Sequence, residues 1–223
     1  MLNVCYLLLG IAAFLLILYF FFELHYFFRA LLCLISGRFF KKRCHILDET
    51  TIKGVCLSND VDSLLDHMNN ARYVRELDFA KIDFYERTGL YSKLVAKGGS
   101  LFAGATTIRY RRFIKIFTKY RITTQVIYWD NQNIFIEHRF ITNRSFVNAI
   151  ALCRIRLVNV DADEFMKDMM LNLPKQVADV EPARKQKPTM PPELEKWMES
   201  NQISSLRLRE MDKIENSVEV CNV

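Results

Sequence analysis

The polar–apolar pattern changes character twice, near residue 23 and near residue 50. Residues 1–22 carry no charge, and Asn3 is their one strongly polar side chain. As a helix this run spans about 33 Å, enough for a hydrocarbon core of about 30 Å. It is read as a retained transmembrane anchor. No Lys or Arg precedes it, and bulky Tyr19 to Phe22 stand where a signal-peptide cleavage site needs small residues. The rival expectation is a cleaved signal peptide and a secreted product. Residues 23–45 stay apolar and aromatic but are broken by Glu23 and Arg29, and they end in Arg38, Lys41, Lys42 and Arg43. This juxtamembrane segment is expected to lie in the membrane interface or to pack on the folded domain. The basic cluster puts its side of the membrane in the cytosol, with the endoplasmic reticulum as the default location.

From Thr51 the periodicity becomes that of a folded domain, expected over residues 46–160. Thr51–Leu57 predicts a strand, followed by a turn at Ser58-Asn59-Asp60. Asn69 or Asn70 is placed to cap a helix, and Tyr73, Leu77, Ala80, Phe84 and Thr88 repeat at helical spacing up to a terminating Gly89. Four strand patterns follow: Leu101–Phe113, Tyr120–Trp129, Ile134–Thr142 and Val147–Leu157, the last with a small-residue face. Turns at Asp130–Asn133 and Asn143–Ser145 connect them. One strand, one helix and then a meander is an α+β order. Residues 161–173 predict a further helix. Residues 174–192 hold all five prolines and read as a linker, and residues 193–223 read as a helical tail. Asn143-Arg144-Ser145 is the one glycosylation sequon, and on the cytosolic side it is expected to stay unmodified.

Composition narrows the classes. A chain of 223 residues suits one folded domain plus appendages. Of the net charge of +6, most lies in residues 1–45, which hold five cations and one anion. The body is therefore nearly neutral, which excludes a dedicated nucleic-acid binder. The six cysteines form no CxxC pair and read as reduced thiols without a zinc site or disulfide framework. No metal or cofactor motif is present, so none is expected. His138 alternates with apolar residues and reads as a sheet histidine.

The densest polar cluster runs Asn59-Asp60-Val61-Asp62-Ser63-Leu64-Leu65-Asp66-His67-Met68-Asn69-Asn70-Ala71-Arg72-Tyr73. Three carboxylates and a histidine precede a helix amino terminus, where unpaired N–H groups stabilise developing negative charge. A carboxylate there can attack a carbonyl or activate water. Asp and Asn are also the commonest turn and cap residues, so a structural reading stands beside the catalytic one. Downstream, Arg109, Arg111, Arg112 and Lys115 alternate with Tyr110, Phe113 and Phe117.

The segments Asp60-Val61-Asp62, His67-Met68-Asn69-Asn70-Ala71-Arg72-Tyr73, Asp78-Phe79-Ala80 and Arg87-Thr88-Gly89 resemble the hotdog-fold thioesterases of the 4-hydroxybenzoyl-CoA and acyl-ACP group. The resemblance implies a central helix wrapped by an antiparallel sheet of about five strands. It also implies homodimers with active sites at the interface. It makes Asp62 the nucleophile or base, with His67 and Asn70 completing the catalytic set. Asn69, Ala71 and Tyr73 become substrate-binding, and Arg109, Arg111 and Arg112 become candidates for the phosphates of CoA. This chain has five positions from Asp62 to His67 where that pattern has four. Asp66 replaces the glycine that precedes the histidine, and Leu65 stands where the acyl-ACP enzymes carry Asn. Two functions follow. One is a membrane-anchored hydrolase of long-chain acyl-CoA thioesters. The other is a catalytically weak scaffold that binds acyl-CoA or membrane lipid.

Overall fold

A computed structural model describes residues 2–21, 23–62, 66–142, 145–171 and 186–221. The proline-rich stretch 172–185, the loop residues Ser63, Leu64 and Leu65, and Asn143 and Arg144 of the sequon lie outside the described residues. The linker, the sequon turn and the Leu65 position are therefore named but not described.

The amino-terminal half begins with α1 (Leu2–Phe21) and α2 (Leu24–Ile35), followed by a π-helical turn at Ser36–Phe40. Then come β1 (Thr50–Val55), α3 (Asn70–Thr88), α4 (Leu90–Ala96), β2 (Ser100–Tyr110), β3 (Lys119–Trp129), β4 (Asn133–Ile141), β5 (Val147–Val158) and α5 (Ala162–Leu171). Residues 186–223 form a separate unit that holds a single long helix, α6 (Pro192–Cys221).

The five strands make one antiparallel sheet in the order β1-β3-β4-β5-β2. The alternation read from the sequence fixes its inner face. Ile122, Thr124 and Val126 stand opposite Phe140, His138 and Ile136, and those three stand opposite Ala149, Ala151 and Cys153. The stripe Tyr73, Leu77, Ala80, Phe84 and Thr88 of α3 is buried against this face, so the helix is the central one that the resemblance implies. Gly89, at φ 72°, adopts the left-handed conformation that ends α3. Asp130 organises the β3–β4 turn by accepting the N–H groups of Gln132 and Asn133 at 2.8 and 2.7 Å.

Two features differ from the sequence reading. The chain leaves the sheet at Tyr110, not Phe113, because the N–H groups of Arg111 and Arg112 both turn to the carbonyl of Asn148. An unforeseen short helix, α4, follows Gly89 directly. The small-residue face of β5 lies on an internal strand, where Ala149, Ala151 and Cys153 are buried in the core with α3.

A second stripe of α3 is also buried, and it is acidic. Glu76 and Asp83 are 3% and 0% exposed. Their counter-charges come from the amino-terminal segment. Arg29 on α2 donates both Nη groups to the Glu76 carboxylate, Nη2 at 2.6 Å, while Tyr120 Oη donates to the same carboxylate at 2.7 Å. The Arg29 guanidinium also lies 4.2 Å above the ring of Phe79. Lys41 reaches Asp83 at 2.5 Å, and Arg87 approaches its other oxygen at 3.7 Å. Between these pairs Gly37 is buried against α3, where an added Cβ would meet the Cβ of Glu86 at 3.2 Å. Backbone bonds finish the seam: Cys44 N–H donates to the Arg87 carbonyl at 3.1 Å, and Arg87 Nε donates to the Lys42 carbonyl at 3.1 Å. Residues 24–44 are thus packed on the domain, one of the two expected outcomes.

α1 is apolar on all sides and exposed at its described side chains apart from the half-buried Leu18. Among the described residues no single helix is long and apolar enough to cross a membrane. α1 and α2 pass that test together as a pair bent by 80°.

Two outcomes test this packing. Arg29→Met leaves Glu76 buried without its cation and should cost about 3 kcal/mol, as breaking a buried ion pair does. Adding Glu76→Gln should recover most of that loss in urea unfolding of the full chain. An unchanged Arg29→Met would contradict the seam. The second outcome concerns His138, which is fully buried, with Nδ1 2.9 Å from the Thr124 hydroxyl and Nε2 unpartnered among the described residues. Burial, and next the charge of Lys81, push it down to about 3. The unfolded chain binds a proton here below about pH 6.5 while the fold resists until about pH 3, so stability falls as pH drops through that window. At pH 5 the loss is about 2 kcal/mol. His138→Asn keeps a partner for Thr124 and should melt with a flatter pH dependence between pH 7 and 5. An identical slope would show that His138 does not supply it.

Candidate active site

The site is built on the connection between β1 and α3. After β1 the chain turns at residues 58–60. Asp60 fixes the turn: its carboxylate accepts the Leu57 N–H at 2.9 Å and lies 3.7 Å from Arg72 Nε. Arg72 Nη2 also donates to the Asn59 carbonyl at 2.6 Å, which ties the first turn of α3 to this corner. Asp60 is thereby a structural residue.

Residues 60–62 and 67–69 then run antiparallel as a narrow hairpin. Asp62 N–H donates to the His67 carbonyl and Asn69 N–H to the Asp60 carbonyl, both at 2.8 Å, with Val61 opposite Met68. The outer side of the hairpin pairs with the β2–β3 connection. Met68 N–H donates to the Ile114 carbonyl at 2.8 Å, and His67 bridges to Lys115. Met68 enters the core at 1% exposure and anchors the hairpin.

Asp62 is half-buried, and its backbone faces that of His67 across the ladder. His67 is buried and stacked on Phe113, with ring centroids 4.0 Å apart. Its Nδ1 lies 3.2 Å from the Met68 carbonyl, and its Nε2 has no partner among the described residues. With Nδ1 donating, Nε2 of the neutral ring is an acceptor. Asp66 sits at φ 53° with its side chain exposed. Its backbone therefore takes the left-handed course open to glycine, which Asp adopts more readily than most residues. The acidic side chain points to solvent.

The helix start has a definite division of labour. Asn69 is the cap, its Oδ1 accepting the Ala71 N–H at 2.9 Å, so these two expected substrate contacts are engaged with each other. Asn70 is exposed, and its carbonyl accepts the Tyr110 hydroxyl at 3.1 Å. Tyr73 is a core residue, edge-on to Tyr110 and Phe140, and burial pushes its hydroxyl up to about 12. The guanidinium groups of Arg111 and Arg112 lie 5.2 and 4.1 Å from the ring of Phe146, just before the residue that stacks on His67. Arg109 alternates with Tyr110 along β2 and is exposed on the other face of the strand. The fold thus gathers Asp62, His67, Asn69–Tyr73, Arg111 and Arg112, and leaves Arg109 aside. Sequence reasoning names Phe113 only in the basic–aromatic alternation and does not place it beside His67. It lies far along the chain from His67, and only the hairpin's pairing with the β2–β3 connection brings the two together.

Other chemistries find little here. Burial pushes the Cys44 and Cys56 thiols up to about 11, which disfavours a reactive thiolate. Among the described residues no group of His, Cys, Asp and Glu is arranged to hold a metal ion.

The profile of the Thioesterase-like superfamily matches residues 56–198, a span that includes the whole hairpin, α3 and the sheet from β2 onward. The chain belongs to the thioesterase-like superfamily. Its relatives include Protein THEM6 of Drosophila melanogaster, 40% identical over 196 residues, which cover 87% of this chain and 95% of that one. Protein THEM6 of Xenopus laevis is 30% identical over 196 residues, covering 87% and 89% of the two chains. The uncharged amino-terminal run and the phrase Asp66–Tyr73 resemble the same branch, thioesterase superfamily member 6. Among solved structures, the YbaW probable thioesterase from Escherichia coli is similar at 20% identity, with a TM-score of 0.49 over 55% of this chain and 95% of that chain.

For this thioesterase-like domain the Asn69 cap has a separable signature. Asn69→Ala should cost about 1 kcal/mol in thermal or urea unfolding, while Asn69→Asp or Asn69→Ser should restore most of it. Equal stability of Asn69→Ala and the wild type would show that the side chain is not the helix cap.

Proposed function

We propose that the protein hydrolyses acyl-CoA thioesters of long-chain acids at the membrane that holds its amino terminus. The observation that carries this reading is the hairpin itself: a half-buried Asp62 across the ladder from His67, immediately ahead of the α3 amino terminus. The substrate carbonyl oxygen is polarised at the helix start, near Asn70, where developing negative charge is favoured. Asp62 acts as nucleophile or takes a proton from the attacking water. In the water route a C–O bond forms, the C–S bond breaks, and the CoA thiolate leaves and is protonated. His67 Nε2 supplies a further acceptor to orient water or substrate. Arg111 and Arg112, held on Phe146, suit the phosphates of CoA. The chemistry needs no cofactor.

The left-handed backbone at Asp66 supports activity, because the course of the missing glycine is retained. The charge of Asp66 favours a second reading, a scaffold that binds acyl-CoA or lipid with weak turnover, since a carboxylate near a developing oxyanion raises its energy. The free edge of β2, at one end of the sheet, is available for homodimer formation. Anchoring rests on the uncharged run of residues 1–22 and the basic cluster that follows, with the domain in the cytosol and the endoplasmic reticulum as the membrane.

The test is turnover of the purified full chain across acyl-CoA lengths. Asp62→Asn should lower kcat by about 10²–10⁴-fold with an unchanged melting temperature and retained acyl-CoA binding. Asp66→Gly should raise turnover. No turnover in the wild type and no gain in Asp66→Gly would favour the scaffold. Unfolding by Asp62→Asn would make the carboxylate a structural residue.

A further inference from the structure

The α2 helix is amphipathic in the inverse sense. Its charged and small residues, Arg29, Ala30 and Cys33, face the protein, and Arg29 is held by Glu76. Its outward face carries Phe27, Phe28, Leu31 and Leu32, which are 62%, 61%, 52% and 48% exposed. A water-facing helix shows the opposite arrangement, and an apolar patch of this kind marks an interaction surface.

We propose that this outward face is sunk in the headgroup–acyl boundary of a lipid bilayer, so that α2 lies on the membrane and holds the hotdog domain in one orientation. The inference rests on the proposed anchoring of the amino terminus and adds the placement of α2 and of the site. Three observations select lipid over a protein partner. The face is continuous with α1, which is apolar and exposed on all sides, and the 80° bend lays α2 near the membrane plane when α1 stands along the normal. The turn that ends α2 exposes Phe39 and Phe40 at 73% and 82%, with the exposed Arg38 and Lys42 close by in the chain. Aromatic rings beside cations are the composition of a membrane interface, and the cations complement the anionic cytoplasmic leaflet. Finally, a cleft of about 190 Å³ at the α1–α2 elbow is lined by Tyr19 and Glu23 on one side and by Asn59, Arg72 and Arg75 on the other. Arg75 pairs with Glu23 at 2.6 Å, and Arg72 holds the corner that leads into the Asp62 hairpin. The elbow therefore sets the start of α3 at headgroup level, where a long-chain acyl thioester presents its polar end while its tail remains in the bilayer.

The test uses the full chain in vesicles of phosphatidylcholine and phosphatidylserine that contain lipid brominated just below the glycerol. Phe28→Trp and Leu31→Trp replace large exposed side chains, and Val95→Trp on α4 is the control. After subtraction of native tryptophan emission, residues 28 and 31 should be quenched at least about twofold more than residue 95, in line with an interfacial helix sunk to the acyl boundary. Alkaline carbonate washing reads the anchor separately. Retention in the vesicles with quenching at 28 and 31 supports the proposal. Retention without quenching overturns the placement of α2 and leaves the anchor standing. Release into the wash overturns both. A disulfide between two copies of Phe28→Cys, with no lipid quenching, assigns the face to a second copy and also overturns the proposal.

Discussion

The structure depends on two carboxylates buried on its central helix. Glu76 and Asp83 have left water, and the cations that compensate them, Arg29 and Lys41, come from a segment that precedes the sheet-forming domain. An unpaired buried charge costs several kcal/mol, a large share of the 5–15 kcal/mol by which a domain of this size is stable. The amino-terminal segment is consequently part of the fold. It covers the face of α3 that the sheet does not reach, and Gly37 lets the backbone cross the helix where an added Cβ would press on Glu86 at 3.2 Å.

The same constraint positions the site. α3 is clamped between the sheet and α2, so its amino terminus is fixed, and the Asp60–Asn69 hairpin is pinned on that end by Arg72, Met68 and the Asn69 cap. The candidate residues sit on elements that are rigid for other reasons: Asp62 on the hairpin ladder, His67 against Phe113, and Arg111 and Arg112 against Phe146. Of the paired aspartates that open the motif, Asp60 builds the corner through its carboxylate and Asp62 joins the hairpin ladder through its backbone.

Much of this was legible in the sequence, because the inward stripe of α3 and the alternation of the last three strands are direct consequences of burial on one face. The second stripe of α3 was not. Nothing in the local pattern marks Glu76 and Asp83 as buried, because their partners lie 47 and 42 residues away. The end of β2 was misplaced because alternation continues through Phe113, while hydrogen bonding to Asn148 turns the chain away earlier. For the candidate site, the motif resemblance names Asp62, His67 and Asn70, and the fold brings them to one hairpin and helix start. The resemblance could not separate the Asn69 cap and the Tyr73 core residue from ligand contacts, since capping and recognition use the same residue types. The effect of Asp66 also needed the backbone: as a substitution for glycine it suggests a blocked site, whereas at φ 53° it keeps the loop's course and turns its charge outward.

The central claim is that α2 and α3 form one cooperative unit joined by buried charge. Native-state hydrogen exchange of the full chain measures this directly. The account predicts that amides of Tyr26–Ile35 and of Tyr73–Thr88 share one opening free energy and lose protection together as denaturant is added. Free exchange across α2 while α3 stays protected would contradict it, and would make the amino-terminal segment a tether without structural consequence.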